Sequence, residues 1–219
     1  MRNHKFVTGS YYHIYNRGVD KRKIFSDHKD LQRFLLSIDL FNYQKPLVSI
    51  RDSFHLNTGA KHLNKLNIDN KRLVSFIAYS VLPNHFHFIL KQEIDGGISE
   101  FMKRLGGGYT NYFNERNKRS GSLFQGTFKS KYIKEDNYFK LLISYVMWNN
   151  LVHQIPINKN SLFVSSVKEY KNQKFYLINK KKAKNILKQY RGYNSLLESS
   201  KEVTHIISKS RDNFDFNED

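Results

Sequence analysis

LVSFIAYSVLPNHFHFILK, residues 73–91, decides the middle of the fold. Residues 73–82 are rich in β-branched and aromatic side chains, Pro83-Asn84 is a turn pair, and residues 85–91 form a second β-rich run. Two runs joined so tightly predict an antiparallel hairpin. Side chains alternate along a strand, so Phe86, Phe88 and Leu90 share one face and His85 and His87 the other. The apolar face belongs in the core. The two imidazoles then sit side by side on the wet face, about 7 Å apart along the strand. Neutral imidazoles at that spacing can grip one divalent metal. His-x-His is short and common, however, and two polar residues on a half-wet sheet give the same pattern.

Working outward, residues 11–17 alternate and stop at Gly18, which predicts a strand. A helix capped by Asp27 or Asp30 reaches about Asn42, with Leu31, Phe34, Leu35, Ile38 and Phe41 on one face. Residues 43–71 are polar and irregular and read as an insertion or long loop. Beyond the hairpin a helix begins near Ser99 and is interrupted or bent by Gly106-Gly107-Gly108. Residues 122–133, SLFQGTFKSKYI, read as a strand with an interior glycine. Asp136 then caps a helix over 137–152 that Pro156 stops. The order strand, helix, hairpin, helix, strand, helix predicts the α+β class, an antiparallel sheet with helices packed on one face. Three segments follow: a core domain at 8–153, a basic helical C-terminal extension at 157–211 that includes a helix over Asn185–Leu197, and an acidic, disordered tail at 212–219.

Charge narrows the function. The 219 residues hold 37 Lys and Arg against 19 Asp and Glu, a net +18, with 15% aromatic residues and no cysteine. The missing cysteines exclude disulfides, thiolate metal sites and cysteine nucleophiles. No apolar run is long enough to span a membrane and no signal peptide opens the chain, so a cytoplasmic protein is expected. Residues 101–140 carry nine basic and three acidic side chains, and residues 165–195 nine and one. So basic and aromatic a chain points to nucleic acid, with generic solubilising charge as the bland alternative. The helix at 137–152 adds Tyr145 and Asn149, four apart and so on nearly the same face. An amide oxygen suits Mg²⁺ or Mn²⁺, and a tyrosine hydroxyl beside a metal can attack a phosphodiester. With 14 tyrosines in the chain, an ordinary packing role for Tyr145 has the same pattern.

Taken together, four stretches resemble the single-tyrosine HUH transposases, and among them the REP-associated tyrosine transposases. They are YYHIYNRGVDKRKIF (11–25), AYSVLPNHFHFILKQ (78–92), YTNYFNERNKRSGSLFQGTFKS (109–130) and YVMWNN (145–150). The resemblance implies a ferredoxin-like fold whose open sheet face receives single-stranded DNA. It implies His85, His87 and Asn149 as ligands of Mg²⁺ or Mn²⁺, and Tyr145 as the nucleophile forming a 5′-phosphotyrosine link. Where the family's helix reads Tyr-Ile-x-x-Asn-Pro, this chain has Asn150, which should let the helix run on by about one turn. The triple glycine and the 43–71 segment also depart from the pattern. The implied partner is single-stranded DNA with a hairpin nearby, and monomer and homodimer both stay open. Candidate backbone contacts are Arg17, Lys21, Arg22, Lys103, Arg104, Arg119, Lys129 and Lys131. A replication initiator or relaxase, a non-catalytic hairpin-binding protein and an RNA-binding module are the competing readings. Tyr109 and Tyr112 are the rival nucleophiles.

Overall fold

The structure is a computed structural model that describes residues 5–45, 70–134, 136–156, 158 and 160–209. Most of the 43–71 segment and the whole 212–219 tail lie outside the described residues.

Strands β1 (Tyr11–Arg17), β2 (Val74–Val81), β3 (His85–Gln92), β4 (Lys129–Ile133) and β5 (Val164–Ser165) form one antiparallel sheet in the order β4-β1-β3-β2-β5. Helix α1 (His28–Leu40) joins β1 to β2 and α2 (Gly97–Arg116) joins β3 to β4. That connectivity, with β3 between the parallel pair β1 and β2, is the ferredoxin-like α+β arrangement, extended by β5 at the β2 edge. The β2–β3 hairpin closes at Pro83-Asn84, where Leu82 N–H donates to the His85 carbonyl at 2.8 Å. Asp27 caps α1, its carboxylate accepting from the N–H groups of Lys29 and Asp30. Leu31, Phe34 and Ile38 turn inward from that helix, and Phe34 meets Phe86 and Phe88 across one sheet face.

Helices cover both faces, not one. Helix α3 (Asp136–Met147) lies over the opposite face, against β2 and β3, and α7 (Tyr193–Lys209) packs on it. The histidine face is therefore buried rather than wet: His85 is 7% and His87 2% exposed. The alternation in β3 separates apolar from polar side chains but says nothing of what a distant helix lays over the polar side.

Three boundaries differ from expectation. Helix α2 runs unbroken through Gly106-Gly107-Gly108. The buried stripe Ile98, Phe101, Met102, Leu105, Tyr109 and Phe113 holds it, against about 1 kcal/mol per glycine relative to alanine. The run at 122–133 becomes a strand only at Lys129, because Gly126 sits at φ 67 and turns the chain. Ahead of it Gln125 N–H donates to the Arg17 carbonyl and Phe124 bridges to Gly18. The single helix expected over 137–152 is split at Trp148 (φ −110, ψ 28) into α3 and α4 (Asn149–Val152).

The C-terminal residues share the core. Between β5 and α7 come α5 (Val167–Asn172) and α6 (Lys180–Gln189). The helix expected over Asn185–Leu197 is broken between α6 and α7 by Arg191 and Gly192, both at positive φ. Tyr170, fully buried, donates its hydroxyl to the Ile77 carbonyl at 2.8 Å, and Ile178 bridges to Phe76. Tyr170, Ile186, Leu196 and Val203 lie in the same hydrophobic cluster as the sheet. One hydrophobic cluster thus takes residues from both the 8–153 segment and the 157–211 segment. Among the described residues no helix is long and apolar enough to cross a membrane.

Candidate active site

The site is built where β1 and β3 run side by side under α3. The register sets Arg17 opposite His85 and Tyr15 opposite His87. Alternation along YYHIYNR then puts His13, Tyr15 and Arg17 on the face that carries the two β3 histidines. His13 Nε2 and His87 Nδ1 are hydrogen bonded at 2.9 Å, their rings stacked at 5.1 Å. Tyr15 stacks on both rings, 5.0 Å from His13 and 5.6 Å from His87. From above, the Tyr145 ring of α3 meets His87 edge-on at 5.6 Å and His13 at 6.3 Å.

His85 is held from two sides. Its Nδ1 lies 2.7 Å from Asn84 Oδ1 and its Nε2 3.2 Å from Asn149 Oδ1. His153 packs on its ring at 4.6 Å. Burial pulls the His85 pKa down to about 3, helped by the charge of His153 and opposed by Asn149. Burial likewise brings His13 to about 3, with Lys131 adding to the fall, and places His87 well below its ordinary value, with His13 and His85 contributing. All three imidazoles are therefore neutral at pH 7, the form that ligates metal.

Neutrality fixes a proton. The Asn84 Nδ2 donates to the Lys21 carbonyl at 3.1 Å, so Asn84 presents its oxygen to His85 Nδ1, and that nitrogen carries the hydrogen. His85 Nε2 is then a bare lone pair facing a second acceptor, the Asn149 oxygen. A cation between these two acceptors, 3.2 Å apart, would satisfy both; so would the amide turned round, its fully buried and unpartnered Nδ2 donating to Nε2. The residues present thus fit a divalent metal. Among the described residues no three His, Cys, Asp or Glu side chains form a metal-holding group; a metal placed here would take His85, His87 and the Asn149 amide as donors.

The expected set is gathered: His85, His87, Asn149 and Tyr145 meet over one sheet face. The break at Trp148 does not separate Asn149 from Tyr145. Arg17 and Lys129 line a small cavity with Tyr15, Asn16, Gln125 and the two β3 histidines, and Arg17 Nε donates to Gln125 Oε1 at 2.8 Å. Lys131 lies 5.0 Å from the Tyr138 ring centroid and faces His13 electrostatically. Lys21 and Arg22 sit in the turn after β1, Arg22 paired with Asp20 at 3.1 Å. The other three basic candidates are elsewhere. Arg104 is bound to Glu100 at 2.7 Å and to the Tyr43 carbonyl, and Arg119 to Asn114 and the Ser122 carbonyl, so both brace the fold. Lys103 stands on α2, 81% exposed. The rival tyrosines lie away from this site: Tyr109 donates to the Ile24 carbonyl and Tyr112 to Asp30, between α1 and α2.

His13, Tyr15 and His153 are site residues that sequence reasoning missed. The alternation of β1 carried the signal for the first two; which strand β1 would pair with, and in what register, was not written locally.

Residues 56–149 match the family described as IS200-like transposases. No curated protein sequence matches the chain. One solved structure, a REP-associated tyrosine transposase bound to a REP hairpin, is 12% identical, covers 80% of this chain and 87% of its own, and has a TM-score of 0.49.

Proposed function

We propose that this chain, which matches the IS200-like transposases over residues 56–149, cuts and rejoins single-stranded DNA through Tyr145. The Tyr145 oxygen attacks the scissile phosphorus, a P–O bond to tyrosine forms and the bond to the 3′ oxygen breaks. The phenol gives up its proton and the departing oxygen takes one, leaving a 5′-phosphotyrosine and a free 3′-OH. Attack by another 3′-OH reverses the step and joins strands. The observation that carries this reading is the convergence of Tyr145, from α3, on the His13–His87 pair, while Asn149 reaches His85.

His85, His87 and Asn149 would hold Mg²⁺ or Mn²⁺, which when bound supplies charge neutralisation at the phosphate. Arg17 and Lys129, at the rim of the same cavity, bind the flanking backbone and fix its register without reading sequence. A hairpin beside the cut is the expected feature of the substrate, on the strength of the motif resemblance alone. Tyr145 is only 4% exposed, which favours a second reading in which the fold binds DNA without cutting it. The two separate in one assay. Incubation with a single-stranded hairpin oligonucleotide and Mg²⁺ or Mn²⁺ should give a complex that survives denaturation, absent with chelator and absent in Tyr145→Phe. Normal hairpin binding with no covalent complex under any metal would establish the binding-only reading.

A further inference from the structure

On the face of the sheet turned away from Tyr145 lies a second cavity of about 370 Å³, between α2, the end of β1 and the 122–128 loop. Phe124 and Phe128 line it, with Gly106 and Gly107 in its α2 wall and Lys103 beside them. Glycine is the most costly residue after proline in a helix interior. A Cβ at either glycine would meet nothing within 4 Å. Packing of the chain on itself therefore does not explain them, whereas their missing side chains keep the cavity open and let a ligand approach the helix backbone. The volume falls in the range of small-ligand sites. Phe128 is the cavity's half-buried aromatic wall, Phe124 being 6% exposed and edge-on to Phe86, and Lys103 on the α2 side is 81% exposed, its ammonium 4.0 Å from the Glu100 carboxylate.

We infer that this cavity takes one unpaired nucleobase of the single-stranded DNA, stacked on Phe128 with its phosphate toward Lys103. The inference rests on the proposed action on DNA. Asn16, at the end of β1, borders both this cavity and the small one beside His85 and His87. The two cavities therefore adjoin at the end of β1, where the Asn16 amide donates to the Gly126 carbonyl. Stacking tolerates any base, so this contact adds affinity for unpaired DNA rather than sequence choice.

The test uses the full chain and a labelled 12-nucleotide single strand, with its duplex as control. Gly106→Ala and Gly107→Ala should each raise the melting temperature by about 2–4 °C. Gly106→Leu, which fills the cavity, should weaken single-strand binding about tenfold and leave duplex binding within about twofold. Phe128→Ala removes the stacking wall, should show the same selective loss, and decides the matter if Gly106→Leu does not fold. Unchanged single-strand affinity in a folded Gly106→Leu or Phe128→Ala protein overturns the inference. The covalent complex at Tyr145 is measured in parallel. Its absence together with a selective loss of binding removes the cleavage reading and keeps the cavity; its presence with unchanged binding does the reverse.

Discussion

His13 does for His87 what Asn84 does for His85: each occupies Nδ1 of its partner and so orients the ring. Groups behind a metal ligand typically carry a tenfold to hundredfold effect on metal affinity. His13→Ala should therefore weaken Mn²⁺ binding, measured by calorimetry, by about that factor while the protein stays folded, and His13→Gln should restore part of it. Unchanged Mn²⁺ affinity would reduce His13 to a packing role. The same burial sets a pH dependence. The pKa values of His13 and His85 fall to about 3 in the fold, and that of His87 falls well below 6.5, the ordinary value to which each returns on unfolding. Between those limits the unfolded chain binds more protons, so stability is intact above about pH 6.5 and is lost as pH falls below it. The slope should approach about 1.4 kcal/mol per pH unit for each histidine, read from denaturant melts in chelator at pH 7 and pH 5. A flat profile would mean the histidines protonate freely in the native state. From sequence, the pair at 85 and 87 could be read because it lies on one strand; its burial could not, because the covering residues are about 60 positions away.

At the scale of elements, the longest-range tie on the α1–α2 face is ionic. Arg116, at the end of α2, meets Asp27 at 2.6 Å and also bonds the fully buried Asp30, whose carboxylate accepts from Ser26 N–H and the Tyr112 hydroxyl as well. The Arg116 guanidinium holds the Asp27 carboxyl well below the usual carboxylate range. Arg116→Ala removes the one charged partner shared by two carboxylates and leaves Asp30 only neutral donors. It should cost about 2 kcal/mol, with no change in single-strand affinity at constant salt; a loss below about 0.5 kcal/mol would show the tie to be decorative. Element identity was largely legible where one physical signal dominated. The hairpin followed from its turn pair, and α1 from Asp27 and its apolar stripe. It was less legible where signals competed. The glycine run argued against a continuous α2, yet the buried stripe on both sides outweighed it. In 122–133 the β-rich composition outweighed Gly126 on paper, while in the fold Gly126 turns the chain.

At the scale of the molecule, β5 completes the sheet edge and α7 covers α3, the helix that carries Tyr145. Removing residues 157–219 should therefore expose the β2 edge and the outer side of α3, and give a chain that aggregates or melts without cooperativity. A soluble, cooperatively folding 1–156 fragment would show that the C-terminal residues are dispensable. Composition made these residues look like a solvated basic extension, and the exposed lysines of α6 agree with that. Tyr170, Ile186 and Leu196 reach the core from between such charges, at spacings too irregular to stand out. The whole arrangement converges on one side chain, and Tyr15, stacked on the same histidines, is its nearest competitor. The most direct measurement is mass spectrometry of the protein after reaction with a single-stranded hairpin oligonucleotide and Mn²⁺, followed by proteolysis and nuclease trimming. The account predicts a nucleotide adduct on the peptide containing Tyr145, present in Tyr15→Phe and lost in Tyr145→Phe. An adduct on Tyr15 or any other tyrosine, or one that persists in Tyr145→Phe, would contradict it.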